Sequence, residues 1–288
     1  MKNIVFAALV LLLVVCIEVH AQTINKLWEV TGFEAPESVI YDSKTNLYYV
    51  SNVAGNPDEK NGNGYISQVD DNGELVNHKW VTGLDAPKGM GIHNGKLYVA
   101  DIDRVAIINV ADGKIEKTLP AEGATFLNDV AVGSNGDVYV SDTFGGNAIY
   151  RLSSGKLDVW FKDEKLDYPN GLLLKGNDIL VASWGVVTNP ETSETEVKGK
   201  LLKVSLSDKK VTDISKPFIN GDGLAEFKNG YILSDWVAGK IYFVDNKGSH
   251  QEIGSYNAGT ADLSIVKQKN ILLIPQMMEG KLMAFSIK

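Results

Sequence analysis

The sequence predicts an all-β fold, a six-bladed β-propeller of four-stranded antiparallel blades, and three observations carry that prediction. First, a strand of similar shape recurs six times, ending on Ser51, Ala100, Ser141, Ala182, Ser234 and Pro275 at steps of 49, 41, 41, 52 and 41 residues. Second, several of these strands follow a tight-turn signal: Asn94-Gly95, Asn135-Gly136 or Asn229-Gly230. Third, each hairpin opens on a short apolar run and is followed by a third and usually a fourth strand, as in Ala148–Leu152 and Lys156–Trp160. Four strands repeating about every forty residues describe one propeller blade. A generic sandwich or barrel would supply the strands but not the fixed period.

The first residues stand apart from the repeat. Lys2 precedes an apolar run from Ile4 to Ile17, and Val19-His20-Ala21 ends in a small residue suited to cleavage. This is the layout of a secretory signal, and the run is short for a membrane span. Bulky Val14 and Val15 ahead of Cys16 speak against a lipid-modified cysteine. Residues 1–21 are therefore read as a signal peptide and 22–288 as one propeller domain, secreted or periplasmic after cleavage near Ala21. The first strand of the domain, Lys26–Val30, resembles the outer strands of the other blades. Blade six reaches Lys288 after only three strands. Pairing Lys26–Val30 with it closes the ring and leaves no orphan sheet edge between first and last blades. Two blades are longer than the rest, by Asn52–Gly64 in blade one and Trp184–Lys200 in blade four. Both additions lie between second and third strands, on the face where the first strands begin, and loops of this length are often functional.

Composition narrows the function classes. The formal net charge is −8, and loss of Lys2 and Glu18 with the signal leaves it unchanged. An acidic chain without a basic run is a poor partner for nucleic acid or an anionic membrane surface. Cys16 is the only cysteine, so the mature chain has neither disulfide nor thiol chemistry. No second apolar stretch is long enough to span a bilayer. A phosphate-cradling glycine loop, a serine triad and a nucleotide motif are all missing from the sequence.

The residues that open the six first strands are Glu37-Ser38, Lys88-Gly89, Asn128-Asp129, Asn170-Gly171, Asp222-Gly223 and Ala261-Asp262. First strands line the channel of a propeller, so equivalent positions form a ring about its axis. Glu37, Asn128, Asn170 and Asp222 put four side-chain oxygens on that ring, two carboxylates and two amides. Such a set suits a hard cation. Ca²⁺ takes about six to eight oxygens, which leaves room for water or substrate, whereas Mg²⁺ keeps more of its own water. Zinc is disfavoured, because no Cys remains and His78, His93 and His250 have no ligand spacing. Taken singly, Asn170-Gly171 and Asp222-Gly223 read equally well as ordinary turns.

The motifs Pro36-Glu37, Leu127-Asn128-Asp129-Val130, Tyr168-Pro169-Asn170-Gly171-Leu172 and Gly221-Asp222-Gly223-Leu224 resemble the senescence-marker-protein/gluconolactonase family. That family sits in a superfamily with paraoxonases and diisopropylfluorophosphatase, and the resemblance spans nearly the whole mature chain. It implies a six-bladed, calcium-bearing hydrolase of lactones or organophosphates. It further implies that Glu37, Asn170 and Asp222 hold the metal, that Asn128 binds metal or substrate, and that Asp222 is the candidate general base. Two positions depart from the pattern. Gluconolactonases carry a sugar-binding Arg where this chain has Phe126, and paraoxonases carry a His where it has Lys88. The metal set thus transfers better than the substrate, and an aldonolactone is the less expected one.

The expected function is a Ca²⁺-dependent hydrolase, lactonase- or esterase-type, acting on a small cyclic ester. The cation would polarise the carbonyl and a carboxylate would take the proton of the attacking water. A ligated carboxylate is a weak base, so Asp262, Asp129 and Asp101 compete with Asp222 for that role. Lys88, pointing inward, could hold a substrate carboxylate or the oxyanion, or instead pair with a channel acid. Trp184 and Trp236 follow the second strands of their blades and could face the substrate or pack in the core. Tyr48, Tyr98 and Tyr139 are expected in the core. The competing reading is a non-enzymatic ligand-binding or scaffold propeller whose metal is structural. A condensing enzyme like the strictosidine-synthase-like propellers fits less well, since those usually lack the four-oxygen cage.

Overall fold

A computed structural model describes residues 24–189, 192 and 194–288; the signal-peptide reading falls outside them. Among the described residues, six four-stranded antiparallel sheets form in chain order, together with one separate two-stranded sheet. Each sheet is a blade, and blade three (Leu127–Val132, Val138–Asp142, Ala148–Ser153, Lys156–Lys162) is representative. Within a blade, burial falls from the inner strands outward. Val138–Asp142 is buried throughout, whereas Lys156–Lys162 exposes most of its residues. That gradient explains why the second strands read as unbroken Val, Tyr and Leu runs, since both faces meet a neighbouring blade.

The ring closes as the sequence predicts. Ile24–Thr31 pairs antiparallel with Lys281–Ile287, so the N-terminal strand completes the sheet of blade six. The first strand of each blade also touches the first strand of the next around the whole circle. Between every two adjacent blades lies a hydrophobic cluster. Val30, Val39, Val50, Leu273 and Leu282 join blades six and one, and Leu180, Leu201, Leu224 and Leu233 join blades four and five. The remaining blade pairs are joined in the same way. Burying one such Leu or Val contributes about 1.5–3 kcal/mol, and the chain needs no cross-link to hold the ring. Tyr48 and Tyr139 are core residues, and Tyr98 packs against the core at its edge.

Two local details differ from the sequence reading. The Asn94-Gly95 turn has left-handed backbone at both residues, with φ of 48° and 75°, as a two-residue hairpin requires. The hairpin of blade five instead turns one residue earlier, at Lys228-Asn229. Gly230 is already in the strand, paired with Phe227. The extra length of blade four is also more ordered than a plain loop, because Gly185–Asn189 and Glu194–Lys198 pair as their own hairpin beside the cavity. Among the described residues no helix is long and apolar enough to cross a membrane.

Candidate active site

A cavity of about 1260 Å³ opens where the first strands begin, and Glu37, Lys88, Asn128, Asn170 and Asp222 all line it. Backbone pairing explains why these residues turn that way. In five blades the register between first and second strands slips at the same place, across residues 37–38, 88–89, 128–129, 170–171 and 222–223. Such bulges leave residues unpaired and re-aim their side chains. In blades one, three and five the freed amide is taken by a serine of the second strand. Ser38 N donates to Ser51 Oγ at 3.0 Å, Asp129 N to Ser141 Oγ at 2.9 Å and Gly223 N to Ser234 Oγ at 2.7 Å. The serine that ends the repeat in these three blades therefore has a purpose at the bulge.

Neither Asn170-Gly171 nor Asp222-Gly223 is a turn. Both lie inside first strands, Pro169–Lys175 and Gly221–Phe227. Their glycines are explained by crowding at the channel. A Cβ on Gly171 would sit 2.0 Å from the Asp222 carbonyl oxygen, and one on Gly223 would sit 2.2 Å from the Leu263 nitrogen.

The four candidate metal ligands are buried, and their oxygens are unusually free. Glu37 Oε2 and Asn170 Oδ1 are fully buried without a hydrogen-bond partner. Orphaned buried oxygens are rare and costly. Asn128 donates its amide nitrogen to Thr143 Oγ1 at 3.2 Å, and Thr143 donates to the Pro169 carbonyl at 2.8 Å. That chain fixes the Asn128 amide and leaves its Oδ1 without a donor. The Asn170 side chain hydrogen-bonds toward Asp222.

The local charge balance points the same way. Burial raises the Glu37 carboxyl well above its ordinary range; Asp222, Asp262 and Asp129 push it further, and Lys88 opposes them. Burial and then Asp129 raise Asp222 to about 8, against the Asn170 hydrogen bond. Asp262 is raised by burial and by Asp129 and Asp222, and Asp129 reaches about 6 through burial. A centre with this many buried acids and one ammonium holds them charged only if a cation joins them. Among the described residues no group of three or more His, Cys, Asp or Glu is placed to hold a metal. Any cage here is therefore a mixed one, in which amide oxygens of Asn128 and Asn170 complete two carboxylates. Such oxygen-only donors fit Ca²⁺.

The other sequence candidates separate clearly. Asp101 does not line the cavity. Its Oδ1 accepts from the amides of Asp85 and Ala86 at 3.0 and 2.8 Å, and its Oδ2 from Arg104 Nε at 2.9 Å. Asp129 spends both oxygens on the amides of Val130 and Leu172, each at 2.6 Å. Asp262 accepts from Ser38 Oγ at 2.5 Å, and its amide donates to the Glu37 carbonyl at 2.9 Å, tying blade six to blade one. Lys88 forms no salt bridge among the described residues. Its Nζ donates to the carbonyls of Pro57 at 2.7 Å and Ala86 at 3.1 Å. It also lies 4.5 Å from the Phe126 ring centroid, so the two departures from the family pattern touch each other. Burial lowers the Lys88 ammonium to about 8 against the pull of Glu37, Asp101 and Asp58. Trp184 and Trp236 both line the cavity, their ring centroids 6.1 Å apart.

Some contributors escape a sequence reading. Pro57 brings the long loop of blade one onto Lys88. Phe144 adds a ring 5.4 Å from Trp184 and 4.9 Å from Phe126, yet it stands one residue beyond the register of the two tryptophans. Thr143, which occupies that register, carries the signal instead.

No protein-family model and no curated protein matches the chain. Solved structures do. A gluconolactonase from Xanthomonas campestris is similar with a TM-score of 0.68 at 13% identity, over 94% of this chain and 96% of that one. A streptogramin B lyase gives 0.62 at 13% identity, over 93% and 98%. Virginiamycin B lyase from Staphylococcus aureus gives 0.59 at 15% identity, over 92% and 99%. At these identities the likeness shows the propeller fold alone.

Proposed function

We propose that the chain is a lactonase-type hydrolase that opens a small cyclic ester with the help of Ca²⁺ held by Glu37, Asn128, Asn170 and Asp222. The observation that carries this reading is the pair of orphaned buried oxygens, Glu37 Oε2 and Asn170 Oδ1, on side chains that line one cavity with Asp222 and Asn128. The gluconolactonase neighbour supports the same reaction class. With residues 1–21 acting as a signal, the enzyme would work outside the cytoplasm.

When bound, the cation would polarise the ester carbonyl and stabilise charge developing on its oxygen. The chain's own groups do the rest. Thr143 keeps the Asn128 amide turned, and Asn170 steadies Asp222. Asp222 is the acid of the ring best placed to receive the proton of the attacking water, because Asp101 is engaged by amides and Arg104, Asp129 by amides and Asp262 by Ser38, and none of the three lines the cavity. Water adds to the carbonyl carbon, the ring C–O bond breaks, and the ring oxygen leaves with a proton as the hydroxyl of a hydroxy acid. Lys88 gives two hydrogen bonds to backbone carbonyls and has a third N–H for the carbonyl oxygen in the cavity.

The test is hydrolysis of a lactone panel by the purified mature chain, with EDTA and after Ca²⁺ is restored. Activity should vanish and return, and Glu37→Gln should stay folded and lose it. Unchanged turnover in Glu37→Gln contradicts the reading. The second reading, a ligand-binding or scaffold propeller with a structural cation, draws on one observation: the acids beside Asp222 are engaged elsewhere, Asp129 by the Val130 and Leu172 amides and Asp262 by Ser38. A chelator would then lower the melting temperature of a protein inactive on every ester. The lyase neighbours add a product check, since elimination yields an unsaturated product instead of a hydroxy acid.

A further inference from the structure

A second ring of residues sits above the oxygen ring and is apolar all the way round. In five blades its members directly follow the second strand, Val53, Ile102, Trp184, Trp236 and Met277; in blade three Phe144, one residue later, takes the place of Thr143, and all six line the cavity. On the side of blades three to five it becomes a continuous aromatic wall. Phe126, Phe144, Trp184 and Trp236 follow one another at centroid distances of 4.9, 5.4 and 6.1 Å. That wall lines the same cavity as Asn128, Asn170 and Asp222, which belong to the same three blades.

Several polar groups along the wall are committed to one another. Asn220 donates its amide to the Trp184 carbonyl at 2.9 Å and to Thr195 Oγ1 at 3.1 Å, and Thr188 Oγ1 donates to the Glu194 carbonyl at 3.3 Å. On the opposite side Lys60 and Asp103 pair with each other. A polyhydroxylated ligand against the aromatic rings would lose water to faces that return no matching hydrogen bonds, which is costly for each hydroxyl. The backbone adds a further sign. Ile102 has φ of 59°, a left-handed conformation that a β-branched residue rarely adopts and that marks functional sites.

Building on the lactonase reading, we infer that the substrate is a lactone bearing an apolar substituent, an alkyl chain of several carbons or an aryl group, which lies on the wall formed by Phe126, Phe144, Trp184 and Trp236. The ester is held at the oxygen ring and the substituent across blades three to five. The cavity volume, about 1260 Å³, exceeds the usual range for drug-sized ligands and leaves ample room beyond a bare lactone ring.

Two measurements test this. In the first, γ-butyrolactone, γ-decanolactone and glucono-δ-lactone are compared by kcat/KM in the Ca²⁺-loaded protein. The decanolactone should exceed the butyrolactone by at least about tenfold, the scale of apolar discrimination, and Trp236→Ala should cut that ratio at least about fivefold. In the second, binding of 5-hexyl-2-pyrrolidinone, a hydrolysis-resistant lactam, is followed by tryptophan fluorescence in chelated protein. It should bind at least about tenfold more tightly than 2-pyrrolidinone, and less so in Trp236→Ala. Lactone turnover that is flat with chain length, or a preference for the gluconolactone, overturns the inference while sparing the lactonase reading. Lactams bound equally well overturn it too. No turnover of any lactone sinks the lactonase reading itself, and the assignment of the wall to a lactone substituent falls with it.

Discussion

Two sets of buried acids, one at the start of first strands and one at the end of second strands, do opposite things. Glu37 and Asp222 open first strands, and Asp101 and Asp235 close second strands; all four are at most 6% exposed. Asp101 is surrounded by donors from Asp85, Ala86 and Arg104. Asp235 accepts from the amides of Asn220 and Ala238. These acids staple the chain as it enters the first strands of blades two and five. Glu37, by contrast, keeps an oxygen with no donor at all. Asp142 stands between the two sets, with Oδ1 held by the Phe126 amide at 2.8 Å and Oδ2 unpartnered. Burial alone does not mark an acid as functional; a donor-free oxygen on a side chain that lines the cavity, as in Glu37, does, and Asp142 lies outside that lining.

The largest expected consequence is a pH dependence that separates the two sets. The folded-state pKa of Asp222 lies at about 8, above the ordinary value near 4, so the folded chain favours its protonated form. Its contribution to stability is therefore complete below about pH 4 and is lost as pH rises toward 8. The loss amounts to up to about 1.4 kcal/mol per pH unit, with Glu37, Asp129 and Asp262 adding in the same direction. In EDTA, denaturant midpoints should fall between pH 5 and 8, and Asp222→Asn should flatten the curve. A curve of equal slope in that variant would place the strain elsewhere.

Next in size is the staple. Asp101→Ala leaves two backbone amides without their acceptor and Arg104 with Asp85 alone, at a cost on the order of 3 kcal/mol. Urea unfolding should show this with or without Ca²⁺. A loss that appears only in the chelated protein would move Asp101 to the functional set.

The smallest effect is expected at Lys88. Lys88→Met removes two hydrogen bonds to carbonyls but also a desolvated charge, so stability should change by about 1 kcal/mol or less. The loop it holds should respond more, with faster proteolysis at Lys60. An unchanged cleavage rate would show that Pro57 does not depend on this contact.

How much of this is legible in the sequence follows from what each feature depends on. The blades and their closure by the N-terminal strand are written in the forty-residue period. The register of Glu37, Asn128, Asn170 and Asp222 is written in the same repeat, because equivalent positions of a propeller share a height. Partners are not written there. Asp101 reads as a channel acid only until its donors at residues 85 and 86 are seen. The bulges leave no trace except the small residues, Ser51, Ser141 and Ser234, whose hydroxyls cap them. The apolar ring hides because Val53, Ile102 and Met277 look like ordinary loop hydrophobes, and only the two tryptophans stand out. The hairpin at Lys228-Asn229 shows that an Asn-Gly pair can lie beside a turn as easily as within it.

The most direct measurement is calorimetric titration of Ca²⁺ into the chelated mature chain, alongside Glu37→Gln and Asp222→Asn. One ion per chain for the native sequence, with binding lost or weakened at least about a hundredfold in either variant, is the expected result. Native-like binding in both variants, or none in the native chain, would contradict the claim that these distant side chains share one cation.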